Sequence, residues 1–421
     1  MNPLGVLQNR RFARVFFAGA ASIGGFSIGQ VAINYLVFDQ TRSSVQLAFV
    51  GVAFTLGLVS LSLFGGTLAD RRDRRGLMIL CDGIRAATLA LVTVALVLLG
   101  FDYWLVLAAS FILGAFSAIF QPAERAMIPS ILQKEQLADA NGLIQLTASL
   151  AGALSNALGG ALVVAVGAVL AIGLNSVTFL VSGLLIASLT SVRRPSEEES
   201  TAAKAPDQKR AGFLEDTREG FRYIIGYRGL LMLTVSAGVI NLFYAMFLPF
   251  SVIYTTQILH GNATTYGVFL GLFALGAAPG SLLVGRVGAV RRAGLAWSLG
   301  GIAGGGSLLI LVLVPVTTVA FVAIFLIGLL LGFMVTTWLS IVQIVVPNEM
   351  QGRYFGIDTL GSFAILPIGQ IIGGFSIASL GLASTFVIAG AGILVSSLAF
   401  MGVRELREMG HSLPAVSHEV P

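Results

Sequence analysis

Asp82 and Arg85 stand three residues apart inside a long apolar run. That spacing puts a carboxylate and a guanidinium on one face of a helix, where they can pair. A charge at the centre of a bilayer costs about 2.5–3.5 kcal/mol on insertion scales, so an intramembrane pair needs a reason. Two roles compete: a structural gate contact near one membrane face, which we prefer, and a proton-carrying site. Glu124 and Asp358 likewise lie close to the ends of apolar runs. The other polar residues in such runs are neutral. Gln30 and Asn34 are four apart; Gln145, Ser149, Gly152 and Asn156 follow one helix face; Asn241 and Tyr244 are three apart; Thr336, Ser340 and Gln343 share a face with Trp338 nearby. Each set can serve as interhelical hydrogen-bonding glue. Together they predict a cavity for a neutral or amphipathic organic molecule.

Other chemistry is excluded by residue type. One cysteine, Cys81, permits no intrachain disulfide and no cysteine metal cluster. The three histidines, His260, His411 and His418, are scattered and fall outside the apolar runs. A metalloprotease HExxH set is therefore absent, and no enzyme, metal or cofactor is expected.

These side chains must be positioned by helices in lipid. Of 421 residues, 56% are hydrophobic and 11% charged, with a mean hydropathy of +0.91. An average soluble domain carries roughly 25% charged residues, and a disordered chain more charge and less apolar content. A bilayer-spanning helix needs about 20 apolar residues. Twelve runs qualify, at 14–38, 45–69, 77–99, 103–121, 137–164, 168–190, 230–256, 265–286, 293–314, 317–345, 354–378 and 382–403. The first is too long for a signal-peptide core and lacks a small-residue cleavage site, so no cleaved leader is expected. With these spans, 23 of the 25 Lys and Arg residues fall on one side. The positive-inside rule makes that side cytoplasmic and places both termini there. The basic balance is thus a topology signal and implies no nucleic-acid partner.

The longest polar stretch divides the chain. It predicts a six-helix half over 1–192, a cytoplasmic linker over 193–229, a second six-helix half over 230–403 and a cytoplasmic tail over 404–421. Within the linker, Phe213, Thr217, Phe221 and Ile224/Ile225 recur at helical spacing and predict an amphipathic surface helix. The halves match at an offset of 214: Glu135 with Glu349, Gly142 with Gly356, Gly159-Gly160 with Gly373-Gly374, and Asn156 with Gln370. A duplicated helical bundle suits a secondary transporter with its substrate site between the halves near mid-membrane.

Between spans 2 and 3 stands Gly66-Thr67-Leu68-Ala69-Asp70-Arg71-Arg72-Asp73-Arg74-Arg75-Gly76. This resembles the signature loop of the major facilitator superfamily. Cys81-Asp82-Gly83-Ile84-Arg85 and Gln121-Pro122-Ala123-Glu124-Arg125 resemble its macrolide-efflux and enterobactin-exporter branch. The pattern departs in three places. Asp73 replaces a glycine, span 5 lacks the proline of many antiporters, and the second-half loop at 285–292 has no acid. The resemblance implies a twelve-helix fold and an efflux-type carrier working by alternating access, with protons as a candidate coupling ion. Its cavity would be lined by the neutral polar residues above. Asp70 would cap the N-terminus of span 11 near Tyr354, where the helix dipole favours an anion. Arg71, Arg74 and Arg75 would pair with Glu124, Asp73 and Asp358 to close a cytoplasmic gate. A monomer in the cell inner membrane, in contact with lipid and a small-molecule substrate, is the expected state. Alternatives are a carrier for a lysolipid or other metabolite in the same fold, and a non-transporting membrane receptor.

Overall fold

The computed structural model describes residues 3–71, 73–133, 136–189, 221–287, 293–346 and 348–407. Side chains within 63–67, 69–71 and 355–363 lie outside the described set, and so do those of Gly66, Asp70, Arg71 and Asp358. All regular structure among the described residues is helical. The first six long helices are α1 (Arg10–Thr41), α2 (Ser44–Arg71), α3 (Arg74–Leu99), α4 (Tyr103–Met127), α5 (Leu137–Val166) and α6 (Ala168–Ala187). The next are α7 (Arg228–Ala245), α8 (Ala263–Val287), α9 (Ala293–Leu313), α10 (Thr317–Val345), α11 (Asn348–Leu380) and α12 (Leu382–Met401). Eleven helices among the described residues are long and apolar enough to cross a membrane. α11 is not among the eleven: its described apolar stretch is the shorter Ala364–Leu380.

The seventh run is not one regular helix. After α7 the chain forms a 3-10 turn at Leu248–Phe250, a short helix at Ser251–Ile253 and a π-helical turn at Tyr254–Ile258. Pro249 explains the break: it has no N–H to give to the carbonyl four residues back, at Ala245. Most of the surface helix expected over 213–225 lies outside the described residues. Residues 221–226 are helical, and the Tyr223 hydroxyl donates to the Val345 carbonyl at 3.3 Å.

Packing repeats between the two sets of six. Among the first six, α1 meets α5 and α6, α2 meets α4, and α3 meets α4 and α6. Shifted by six, α7 meets α11 and α12, α8 meets α10, and α9 meets α10 and α12. The turns repeat as well. Gly167 alone joins α5 to α6 at φ 86°, and Gly381 alone joins α11 to α12 at φ 85°, again 214 residues apart. Only a glycine adopts that backbone at little cost. The two sets meet chiefly through α5 against α8 and α2 against α11.

Candidate functional site

Asp82 and Arg85 form the most deeply buried charged group among the described residues. Arg85 Nη2 lies 2.5 Å from Asp82 Oδ1, with side-chain exposures of 4% and 0%. The Arg85 guanidinium is held between two rings, 4.3 Å from the Phe120 centroid and 4.5 Å from that of Phe179. Those contacts bring α3, α4 and α6 together around one cation, and cation–π attraction strengthens when water is excluded. The second Asp82 oxygen makes no hydrogen bond of ordinary geometry, although the buried Ser182 hydroxyl contributes an electrostatic contact to that carboxylate. Arg85 Nε is likewise buried without a hydrogen-bond partner.

Glu124 behaves differently. It is half-buried on α4, interacts electrostatically with Arg85, and packs its carboxylate directly on Gly19 of α1, where a Cβ would collide with Oε1. It also lines a pocket between α1, α4 and α5. Among the described residues no cationic nitrogen lies within ion-pair distance of it.

The signature-loop residues that can be seen do local work. Asp73 caps α3, its carboxylate accepting from the Gly76 N–H at 2.9 Å. This explains an acid where the superfamily pattern has glycine. Arg74 Nη1 donates to the Ala126 carbonyl at 2.7 Å, at the end of α4. Arg75 donates to Ile186 at 3.2 Å and Ala187 at 2.5 Å, at the end of α6, where Arg14 also donates to Ser188 at 2.6 Å. Cations on the last carbonyls of a helix complement its dipole. Among the described residues, the contacts of Asp73 and Arg75 are these caps within the first six helices. Gly66, Asp70, Arg71 and Asp358 lie outside the described side chains.

The neutral polar set does not converge as a whole. Asn34 Nδ2 donates to the Tyr266 hydroxyl at 3.1 Å, a bridge from α1 to α8. Gln30 is half-buried one turn earlier, as is Asn156 on α5. Tyr244 is buried and turned toward Gly304 of α9, in the interior of the second set of helices. Ser340 bonds its own helix, donating to the Thr336 carbonyl at 2.9 Å. Gln145 and Gln343 are exposed, while Asn241 and Trp338 are half-buried. Sequence reasoning missed Tyr266, since a tyrosine alone in an apolar run reads as core; only the helix pairing brings it to Asn34.

The seam between the two sets is built of glycine and small side chains. Gly160 faces the Ala263 carbonyl and Gly267; Gly267 faces the Asn156 carbonyl; Gly271 faces the Ala153 carbonyl. In α11, Gly374 packs on Ser44 and Ala48, and the Ser44 hydroxyl donates to the Gly374 carbonyl at 2.8 Å. The glycine pairs noted in sequence occupy equivalent places. Gly160 and Gly374 face the opposite set, whereas Gly159 packs on Ile28 of α1 and Gly373 on Met246, just past α7. Among the described residues these contacts run from the end where α1 passes into α2 to the middle of α5 at Ala153.

A family described as transmembrane secretion effector, within the major facilitator superfamily, matches residues 1–419. The chain belongs to this family. Among curated relatives, the MFS-type transporter YkuC of Bacillus subtilis is 32% identical over 227 residues, which is 52% of this chain and 51% of that protein. Macrolide efflux protein A of Streptococcus pyogenes is 25% identical over 410 residues, covering 95% of this chain and 97% of the relative. Among solved structures, a bacterial homologue of the human lysosomal transporter Spinster superposes with a TM-score of 0.75 at 13% identity. That match covers 95% of this chain and 97% of the homologue, which is inward-facing and unoccupied. The family is one of membrane transporters, and the fold of this member is theirs.

Proposed function

We propose that this chain is a twelve-span carrier of the bacterial plasma membrane that exports a small amphipathic organic compound, macrolide-like in character, by alternating access. Its two six-helix halves are the moving parts, and both termini and the linker face the cytoplasm. The observation that carries the reading is the small-residue seam between the two sets of helices. Asn34–Tyr266, Ser44–Gly374 and Gly160–Ala263 join the halves at the end opposite the arginine loop. With the arginine loop cytoplasmic, that end is extracellular, and these contacts are the proposed extracellular closure. A carrier needs such a seam to be remade at the other end in each cycle, and Asp70, Arg71 and Asp358 are the proposed contacts there. Glycine lining supports the reading, because helices that approach through small residues can separate without tearing large side chains from a core.

Proton coupling is part of the proposal and rests on the acids near α3 and α4. The reading is tested by reconstituting the protein in liposomes and following a panel of macrolides and other amphiphiles, with and without an imposed pH gradient. Saturable, protein-dependent movement that quickens with the gradient is the expected result. Movement indifferent to the gradient would remove protons from the account, and no protein-dependent movement of any compound would overturn it.

A further inference from the structure

At the α2–α11 seam the Ser44 hydroxyl donates to the Gly374 carbonyl at 2.8 Å, and Gly374 sits against Ala48. One turn earlier in α11 stands Gln370, which is 9% exposed and faces Gly51 of α2. A Cβ at Gly51 would lie 3.0–3.2 Å from the Gln370 amide, so the glycine makes the room that the amide occupies. The amide oxygen is fully buried there and has no hydrogen-bond partner. A buried acceptor left unmet is unfavourable, because it has given up water and gained nothing in return. That burden is lifted when the two helices part, since water then reaches the amide. The repeat counterpart, Asn156 at the α5–α8 seam, is only half-buried.

We propose that Gln370 is a release element built into the α2–α11 seam, an amide that is unpaired while the helices touch and hydrated once they separate. Small residues at Ala48, Gly51 and Gly374 let the two helices close tightly. Gln370 opposes that closure and so sets the balance between touching and parted seams. The inference rests on the reading that the two halves separate here, and it assigns the ease of separation to one side chain.

Substitutions of opposite chemistry test it. Gln370→Met keeps the length of the side chain and removes the unmet acceptor. Gly51→Ser brings a hydroxyl to the amide and supplies a donor. Both should favour the closed seam. Gly51→Ala adds the same carbon without the hydroxyl, crowds the amide, and should not. With Cys81 replaced by serine, spin labels at the exposed positions Gln40 and Ala378 report the separation of the halves at this end, in the whole protein in lipid nanodiscs. The ratio of short to long distances should rise roughly 5- to 150-fold in Gln370→Met, the factor for relieving one unmet buried group. It should rise in Gly51→Ser as well, and stay level or fall in Gly51→Ala. Melting curves establish that each variant folds; if Gln370→Met does not, the contrast between Gly51→Ser and Gly51→Ala decides. With two distances present, a ratio unchanged or lowered in folded Gln370→Met would overturn the proposal and leave the transport reading standing. Gly51→Ser and Gly51→Ala moving the ratio alike would do the same. One and the same distance in all four proteins would overturn the proposal and also remove alternating access at this seam.

Discussion

At the residue scale, the intramembrane charges divide into a closed pair and an open acid. Asp82 and Arg85 pair with each other, with Phe120 and Phe179 against the guanidinium. Removing one partner of a buried pair leaves a bare charge, which costs about 3–5 kcal/mol, whereas removing both is far milder. Asp82→Asn and Arg85→Met should therefore each lower the melting temperature in detergent sharply, while the double variant recovers most of the loss. Additive losses would show that the two residues act separately. The i, i+3 pairing was legible in the sequence because it lies on one helix. The division of labour was not, because it depends on Gly19 of α1 and Phe179 of α6, which no local spacing connects to Glu124 and Arg85. The same holds for Arg74 and Arg75: their charges were visible, but the carbonyls of Ala126 and of Ile186 and Ala187 that they cap belong to distant turns.

At the scale of elements, apolar run length made most of the helices legible, and the 214-residue offset pointed to the seam. Gly159-Gly160 and Gly373-Gly374 do the same work in α5 and α11, one glycine toward the neighbouring helix of its own set and one across the seam. Sequence could not show the interruption after α7 as anything but continuous apolar chain, although Pro249 is its cause. Nor could it show that Tyr244 turns to Gly304, since rotation of a nearly uniformly apolar helix leaves no periodic signal. The seam makes a direct prediction. Gly160→Ala places a methyl group against the Ala263 carbonyl and Gly267, where helices already touch through backbone. The α5–α8 ends should be forced apart, and spin labels at Val166 and Asn262 should report a longer distance than in the unsubstituted protein. An unchanged distance, with stability preserved, would mean that the contact is not a tight seam.

At the scale of the whole molecule, the family places the chain among major facilitator transporters, and the packing of its second six helices repeats that of its first. The overall class was legible because lipid demands long apolar helices. The conformational cycle was not legible, since on the proposed mechanism one sequence must support two arrangements of the same helices. Alternating access is the central claim, and reciprocity between the two ends is its most direct consequence. With Cys81 replaced by serine, one reporter cysteine at Thr264 lies in the seam and another at Ala148 lies in the pocket at the opposite end. At rest, the thiol at 148 should label faster than the thiol at 264. A transported macrolide should then move the two labelling rates in opposite directions. If both rates rose together, or if neither changed in protein that binds the compound, the account of a carrier with alternately closed ends would be contradicted.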